Sequence, residues 1–388
     1  MEININSEVT VVGAGPIGLL AANILSKKNF NVCLLDKSSE NEVFNPKEDG
    51  RSIALNRKTI NFFKIIGVWN RIESLNKHPI TRAEVFDGNS NNPLSFCLKG
   101  SEPIGYFVKN IYIRKALCEM IIDNPKINIY FNQKIDKVIY NRNEDISVKC
   151  NNSIFKQSLI IAADGRFSQL RGFANINYHK KEFNRIMCLV EIRHTHPHHN
   201  KAVEQFTYDN FTCAILPLSE FHSTIALTVS KYHYYIISNG KLEDIINQLI
   251  EKHIGKIEDI YSLHSYPLIS TYSKSFFCKS LALIGDAAIG MHPVTAHGFN
   301  LGVYGTKLLS ESLENIRLEK YLNKKVSLLK YQTKLNLNAR PLYHATNQIV
   351  KTFTNDKNKC FRKSILATAN KIPLWKNIVY KRMGCFEI

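Results

Sequence analysis

Val9, Thr10, Val11 and Val12 form an apolar, β-branched run that leads straight into Gly13, Gly15 and Gly18. A run of this kind suits a strand buried on both faces of a parallel sheet. Ile17, Leu20, Ala21, Ile24 and Leu25 then recur at helical spacing, so a helix starts inside the glycine motif. A second apolar run, Val32 to Leu35, ends in Asp36. Strand, glycine turn, helix, strand and terminal acid together read as one βαβ unit.

Each piece has a physical role. Gly13 allows the tight turn, Gly15 lets backbone amides approach a pyrophosphate, and Gly18 lets helix and strand pack closely. The helix N-terminus offers partial positive charge to phosphates. Asp36 accepts hydrogen bonds from the ribose hydroxyls of an adenosine. A glycine motif alone is a weak signal, but here strand, helix, second strand and acid agree. The unit is predicted to bind an adenine dinucleotide.

The length of 388 residues predicts two or three domains and a large core. The formal charge of +18 predicts attraction to anionic surfaces and says nothing about fold. Nine cysteines are scattered without a C-x-x-C pair, as expected of a reducing, cytoplasmic compartment. No basic leader precedes the first apolar stretch, so a secretory signal is not expected. No run reaches the roughly 20 apolar residues of a membrane span.

After Asp36 a polar stretch leads to Gly50-Arg51-Ser52, and Thr59 to Ile66 turns helical before Gly67. Thr81 to Phe86 alternates as a strand, Ile113 to Ile122 reads as a helix carrying Arg114, and Phe155 to Ala163 reads as a buried strand delivering Asp164-Gly165. From Gly172 to Ser275 strand-like runs dominate, interrupted by one amphipathic helix with Leu242, Ile246, Ile250 and Ile254 on one face. Leu281 to Ile284 is again a buried strand, followed by Gly285-Asp286, and the chain from Gly298 onward is largely helical. The expected architecture is α/β. A Rossmann-like nucleotide domain spans 1–171 and 276–345, and a β-sheet-rich substrate domain, 172–275, is inserted into it. A basic helical C-terminal segment, 346–388, follows.

Three distant motifs therefore each end a strand with glycine and a carboxylate: Gly13 to Gly18 with Asp36, Asp164-Gly165, and Gly285-Asp286. This triple resembles the signature of flavin-dependent aromatic hydroxylases of the p-hydroxybenzoate hydroxylase type. The Asp-Gly motif of that family matches Asp164 to Arg171, and its Gly-Asp motif matches Gly285-Asp286-Ala287-Ala288 through His292-Pro293 to Gly298-Phe299-Asn300-Leu301-Gly302. Gly50 to Leu55, Phe62 to Trp69 and the run Met291 to Gly302 are most similar to the ubiquinone-biosynthesis hydroxylases of that family. The chain departs from the family pattern at Ile289, His297 and Gly305.

The resemblance implies FAD as cofactor, with NAD(P)H and O2 as co-substrates and the ring of a polyprenylated ubiquinone precursor as substrate. It implies that Asp286 holds the ribityl chain and that Pro293, Gly298, Phe299 and Asn300 lie along the isoalloxazine. Arg51 and Arg114 stand where the family holds FAD phosphate and ribityl groups, and Asp164 serves cofactor and nicotinamide donor. A flavin held this way needs amides or a helix N-terminus where negative charge develops on reduction. No second G-x-G-x-x-G is present, which favours transient NAD(P)H binding. No obligatory acid or base is assigned; His292 and His297 are the weak candidates.

His194, His196, His198 and His199 cluster without a cysteine or carboxylate at ligand spacing, so a solvated loop and no metal are expected. Lys351 to Arg382 holds nine basic residues against the single acid Asp356, interleaved with apolar side chains. Two readings stay open for it: peripheral contact with the inner face of an anionic membrane, or packing on the nucleotide domain. No nucleic-acid reading motif accompanies the charge. A ubiquinone-biosynthesis protein assembly is a further partner the resemblance implies. Two rival functions remain: a flavin reductase saturating isoprenoid double bonds, and a non-catalytic binding protein with a relic nucleotide fold. A flavin halogenase would need paired tryptophans, and Trp69 and Trp375 are far apart.

Overall fold

The computed structural model describes residues 3–88, 90, 92–98, 102–122, 124–140, 145–151, 153–207, 211–314, 316, 318, 321–353 and 362. The chain divides into two compact units. The first comprises Met1–Lys47, Ile113–Lys181 and Ile269–Ala345; the second comprises Glu48–Tyr112, Glu182–Leu268 and Thr346–Ile388.

The first unit is built on a sheet in the order Phe277–Cys278, Leu281–Leu283, Ser153–Ala162, Ile3–Val12, Val32–Leu35, Ile127–Tyr130. The last five run parallel to one another. Val9 and Val11 are fully buried in the middle of it, as the β-branched run requires. Register places Val12 beside Leu35 on one side and Ala162 on the other, and Ala162 beside Leu283. Four carboxyl ends therefore lie side by side on one edge of the sheet, and each carries one of the predicted glycine or acid positions. The ladder continues one step further, with Gly13 N–H donating to Leu35 O at 2.8 Å and Ala163 N–H to Val12 O at 2.8 Å. In doubly wound sheets ligands bind beyond this edge.

The helix Tyr321–Phe353 backs the first unit with its part up to Ala345. Its Tyr331 hydroxyl donates to Leu283 O at 2.7 Å, and its Gln332 Oε1 accepts from Phe276 N–H at 2.7 Å. It runs on through residue 346 without a break, where the sequence suggested a separate tail.

The second unit carries a sheet in the order Ile257–Ser273, Tyr178–His194, His222–Ser230, Thr212–Pro217, Lys201–Phe206, Arg82–Asp87, Leu94–Cys97. Its helix Leu242–Ile254 buries Ile246, Ile250 and Ile254 against one face, among Val190, Val203, Ile215 and Leu227. The expected nucleotide domain included 48–112, but that stretch packs here instead. Arg82–Asp87 pairs in parallel with Lys201–Phe206, a contact between segments more than a hundred residues apart that local pattern does not announce.

Two of the clustered histidines correct the expectation of a solvated loop. His194, the last residue of its strand, and His198, four residues further on, are both buried. His194 is held by His196 O at 2.8 Å and Ser223 Oγ at 3.0 Å, and burial pulls its pKa down to about 4, so the ring is neutral. His198 Nε2 lies 2.7 Å from Ser219 O.

The basic segment 351–382 lies outside the described residues except for 351–353 and Arg362. Arg362 is buried in an ion pair with Asp87, near Phe353, so this basic residue faces protein within the second unit. Among the described residues no helix is long and apolar enough to cross a membrane.

Candidate functional site

The glycines at the sheet edge of the first unit fall into two groups. Gly13, at φ +105°, and Gly18 are packed shut. A Cβ on Gly13 would meet Ala163 O at 2.5 Å, and one on Gly18 would meet Gly13 O at 1.7 Å. Gly285, at φ +57°, and Gly302 close on the Ile17 side chain, which a Cβ would meet at 3.0 Å and 2.9 Å respectively. Ile17 thus ties the first motif to the third. Gly15 is the opposite case: a Cβ there would meet nothing within 4 Å. The helix Pro16–Lys27 starts directly after Gly15 with proline in its first turn and no side-chain cap, so its leading amides face an open cradle.

Three carboxylates ring this edge. Asp36 Oδ2 accepts from Ala14 N–H at 2.5 Å and its Oδ1 from Ser38 N–H at 2.7 Å, which clasps the acid to the glycine turn. Asp164 Oδ2 accepts from Leu170 N–H at 3.1 Å, while its buried Oδ1 has no hydrogen-bond partner among the described residues. Burial pushes the Asp164 carboxyl up, against hydrogen bonds from Ser168 and nearby amides. Asp286 Oδ2 accepts from Arg166 Nη2 at 2.8 Å and Nε at 3.1 Å.

Arg166 was not singled out by the sequence, although it stands inside the Asp164 to Arg171 motif. Its guanidinium also donates to Ile269 O at 2.5 Å and Met291 O at 3.2 Å. Gly290 leaves it room, since a Cβ there would meet Arg166 Nε at 2.7 Å. Arg171 does a related job, bonding Ala287 O at 3.0 Å and Arg166 O at 2.9 Å. These two arginines join the second motif to the third, and their partners there lie more than a hundred residues away. A compact ammonium does not reproduce this planar fork. Arg166→Lys is expected to weaken FAD binding about tenfold, or ~1.4 kcal/mol, in a flavin titration; unchanged affinity would remove Arg166 from the site.

The segment after Asp286 turns through Pro293–Thr295 and Ala296, at φ +51°, into the helix Gly298–Ser312. Both histidines shape this turn. His292 Nδ1 accepts from Val294 N–H at 3.2 Å, so the neutral ring carries its proton on Nε2. His297 Nδ1 donates to Thr295 O. Asn300 Nδ2 donates to Ala296 O at 3.1 Å. The helix has no side-chain cap, and the amides of Gly298, Phe299 and Asn300 stand at its positive end.

The two expected arginines are placed differently. Arg114, in the first unit, reaches Glu42 O at 3.5 Å, and its buried Nε has no partner among the described residues. Arg51 belongs to the second unit, where its guanidinium grips Asp49 at 2.5 Å and 2.9 Å. Burial works to raise the Asp49 pKa, but Arg51 and Asn110 hold it below the usual carboxylate range.

Taken together, an open glycine cradle, two uncapped helix N-termini, a buried carboxylate oxygen without a partner and an arginine-fixed carboxylate fit a phosphate-bearing, polyhydroxylated cofactor of the flavin dinucleotide kind. The family model described as FAD binding domain matches residues 6–319. Ubiquinone hydroxylase UbiM of Neisseria meningitidis is 33% identical over 393 residues, covering 98% of this chain and 85% of that protein. The 3-demethoxyubiquinol 3-hydroxylase of Escherichia coli is 24% identical, covering 80% of each. Among solved structures, p-nitrophenol 4-monooxygenase PnpA from Pseudomonas putida superposes with a TM-score of 0.79 at 15% identity, covering 98% of both chains, which shows a shared fold. Fold and site thus define an FAD-dependent monooxygenase of the p-hydroxybenzoate hydroxylase type. Within that class, the chain belongs to the ubiquinone-biosynthesis flavin hydroxylase family.

Proposed function

We propose that the protein hydroxylates the aromatic ring of a polyprenylated ubiquinone precursor, using NAD(P)H and O2. The observation that carries this reading is the likeness to a relative named ubiquinone hydroxylase over 98% of the chain. Bound FAD, once reduced, supplies the chemistry that delivers one oxygen atom of O2 to an electron-rich ring.

The chain's own residues bind and orient. The amides after Gly13 and Gly15, at the start of the Pro16–Lys27 helix, receive the pyrophosphate. Asp36, already fixed to the turn, receives the ribose hydroxyls. Asp286, held by Arg166, receives the ribityl chain through its second oxygen. Asp164 keeps its unpartnered Oδ1 for a hydroxyl of cofactor or donor. The amides of Gly298, Phe299 and Asn300, beyond Pro293, stabilise negative charge on the reduced ring. Arg114, of the same unit, adds a phosphate or ribityl contact.

Incubation of the FAD-loaded protein with NADPH and a prenylated phenol under labelled dioxygen tests the reading. One labelled oxygen in the ring is expected. A product without label contradicts it, and a saturated prenyl chain without label would identify a double-bond reductase.

A further inference from the structure

Up to Ala345 the helix Tyr321–Phe353 belongs to the first unit, and over that stretch it has two contrasting faces. On the inner one Leu328, Tyr331, Leu335 and Ala339 are buried. Lys324 is buried with them, its Nζ donating to Ser158 O at 2.8 Å. The outer face reverses the usual pattern. Leu322, Val326, Leu329 and Leu337 are 71%, 58%, 42% and 71% exposed. They recur at helical spacing, so they form one apolar ridge on the side away from the core. At the rise of a helix the ridge is about 22 Å long. Lys325, Lys330 and Lys334 are exposed beside it, and Arg340 is exposed beyond its end. With Lys324 and Lys351 these are the basic residues of the whole helix, which holds no aspartate or glutamate.

Four exposed aliphatic side chains in one line, rimmed by polar groups, mark a face that something covers. The charge decides what. A second copy docked through the same face would set these lysines against themselves. An anionic bilayer attracts every one of them, while the aliphatic ridge enters the headgroup boundary and the lysine stems lie along it. We propose that the outer face of this helix, from Leu322 to Arg340, is a docking surface for an anionic lipid membrane. The first unit lies on the bilayer by this ridge and does not cross it, since among the described residues no helix is long and apolar enough to do so. The surface precedes the basic segment 351–382 and does not depend on it. It does not depend on the hydroxylase reading either.

The test sediments the FAD-loaded full chain with vesicles of phosphatidylcholine alone, or of phosphatidylcholine mixed with phosphatidylglycerol, in low and high salt. Wild type is expected to pellet with the anionic vesicles in low salt, and at least about tenfold less with neutral vesicles or in high salt. Leu329→Gln/Leu337→Gln and Lys325→Gln/Lys330→Gln/Lys334→Gln are each expected to weaken that binding at least about tenfold. Lys325→Arg/Lys330→Arg/Lys334→Arg is expected to keep it. All five positions are exposed, so FAD affinity and the melting curve are expected to stay at their wild-type values. A wild type that ignores anionic vesicles overturns the proposal. So do glutamine variants that bind as well as wild type, which would move the contact to another basic stretch. A wild-type dimer in sedimentation velocity that the leucine variant dissolves would assign the ridge to a second copy and overturn it too. None of these outcomes touches the oxygen-label test of the hydroxylase reading.

Discussion

Gly15→Val is expected to give a folded protein that no longer retains FAD. Gly15 has ordinary extended backbone angles, with φ −72° and ψ 172°, so a β-branched residue is not strained there. Nothing lies within 4 Å of where its Cβ would stand, so the folded chain tolerates the added atoms. The space they fill is the cradle in front of the Pro16–Lys27 helix. A ligand phosphate then meets methyl groups instead of amides and loses both close approach and the helix's positive end. Affinity for FAD is expected to fall at least about a hundredfold, or ~2.7 kcal/mol, with the circular-dichroism melting curve of the apoprotein close to wild type. A Gly15→Val protein that still purifies yellow would remove the cradle from the account.

Gly18→Ala is expected to do the reverse and strike the fold itself. The added Cβ would stand 1.7 Å from Gly13 O, a backbone atom that no side-chain rotation clears. Relief requires the Pro16–Lys27 helix to lift from the first strand, which opens the packing of Leu19, Leu20 and Ala22, all fully buried. Overpacking against backbone in a dense core costs about 3 kcal/mol or more. Urea unfolding of the apoprotein, followed by far-ultraviolet circular dichroism, measures it as a lowered midpoint. An unchanged midpoint would show that helix and strand do not meet as described. The two substitutions, three residues apart, thus separate ligand contact from chain packing.

Local features were the legible ones. The Val9 to Asp36 unit, the Gly67 helix stop and the Leu242–Ile254 helix follow from periodicity, glycine and capping, all set by near neighbours. The three carboxylates were legible as strand ends because each closes a short buried run. What was not legible depends on contacts across long stretches of chain. Arg166 was read only as part of the Asp164 to Arg171 motif, because its partners Asp286 and Met291 lie 120 and 125 residues on. The place of 48–112 was hidden because its decisive pairing is to Lys201–Phe206. Tyr178–His194 and Ile257–Ser273 are each 17 residues long. Ile260, Tyr261 and Leu263 stay exposed among polar neighbours, so no regular alternation marked the outer half of Ile257–Ser273 as strand.

The account depends on Leu35, Val12, Ala162 and Leu283 ending together and presenting one coenzyme site. Equilibrium titration of the apoprotein with FAD measures that directly. Saturation at one FAD per chain, abolished by Gly15→Val, is the expected result; a chain that takes up no flavin, or takes it up equally well with valine at that position, would contradict it.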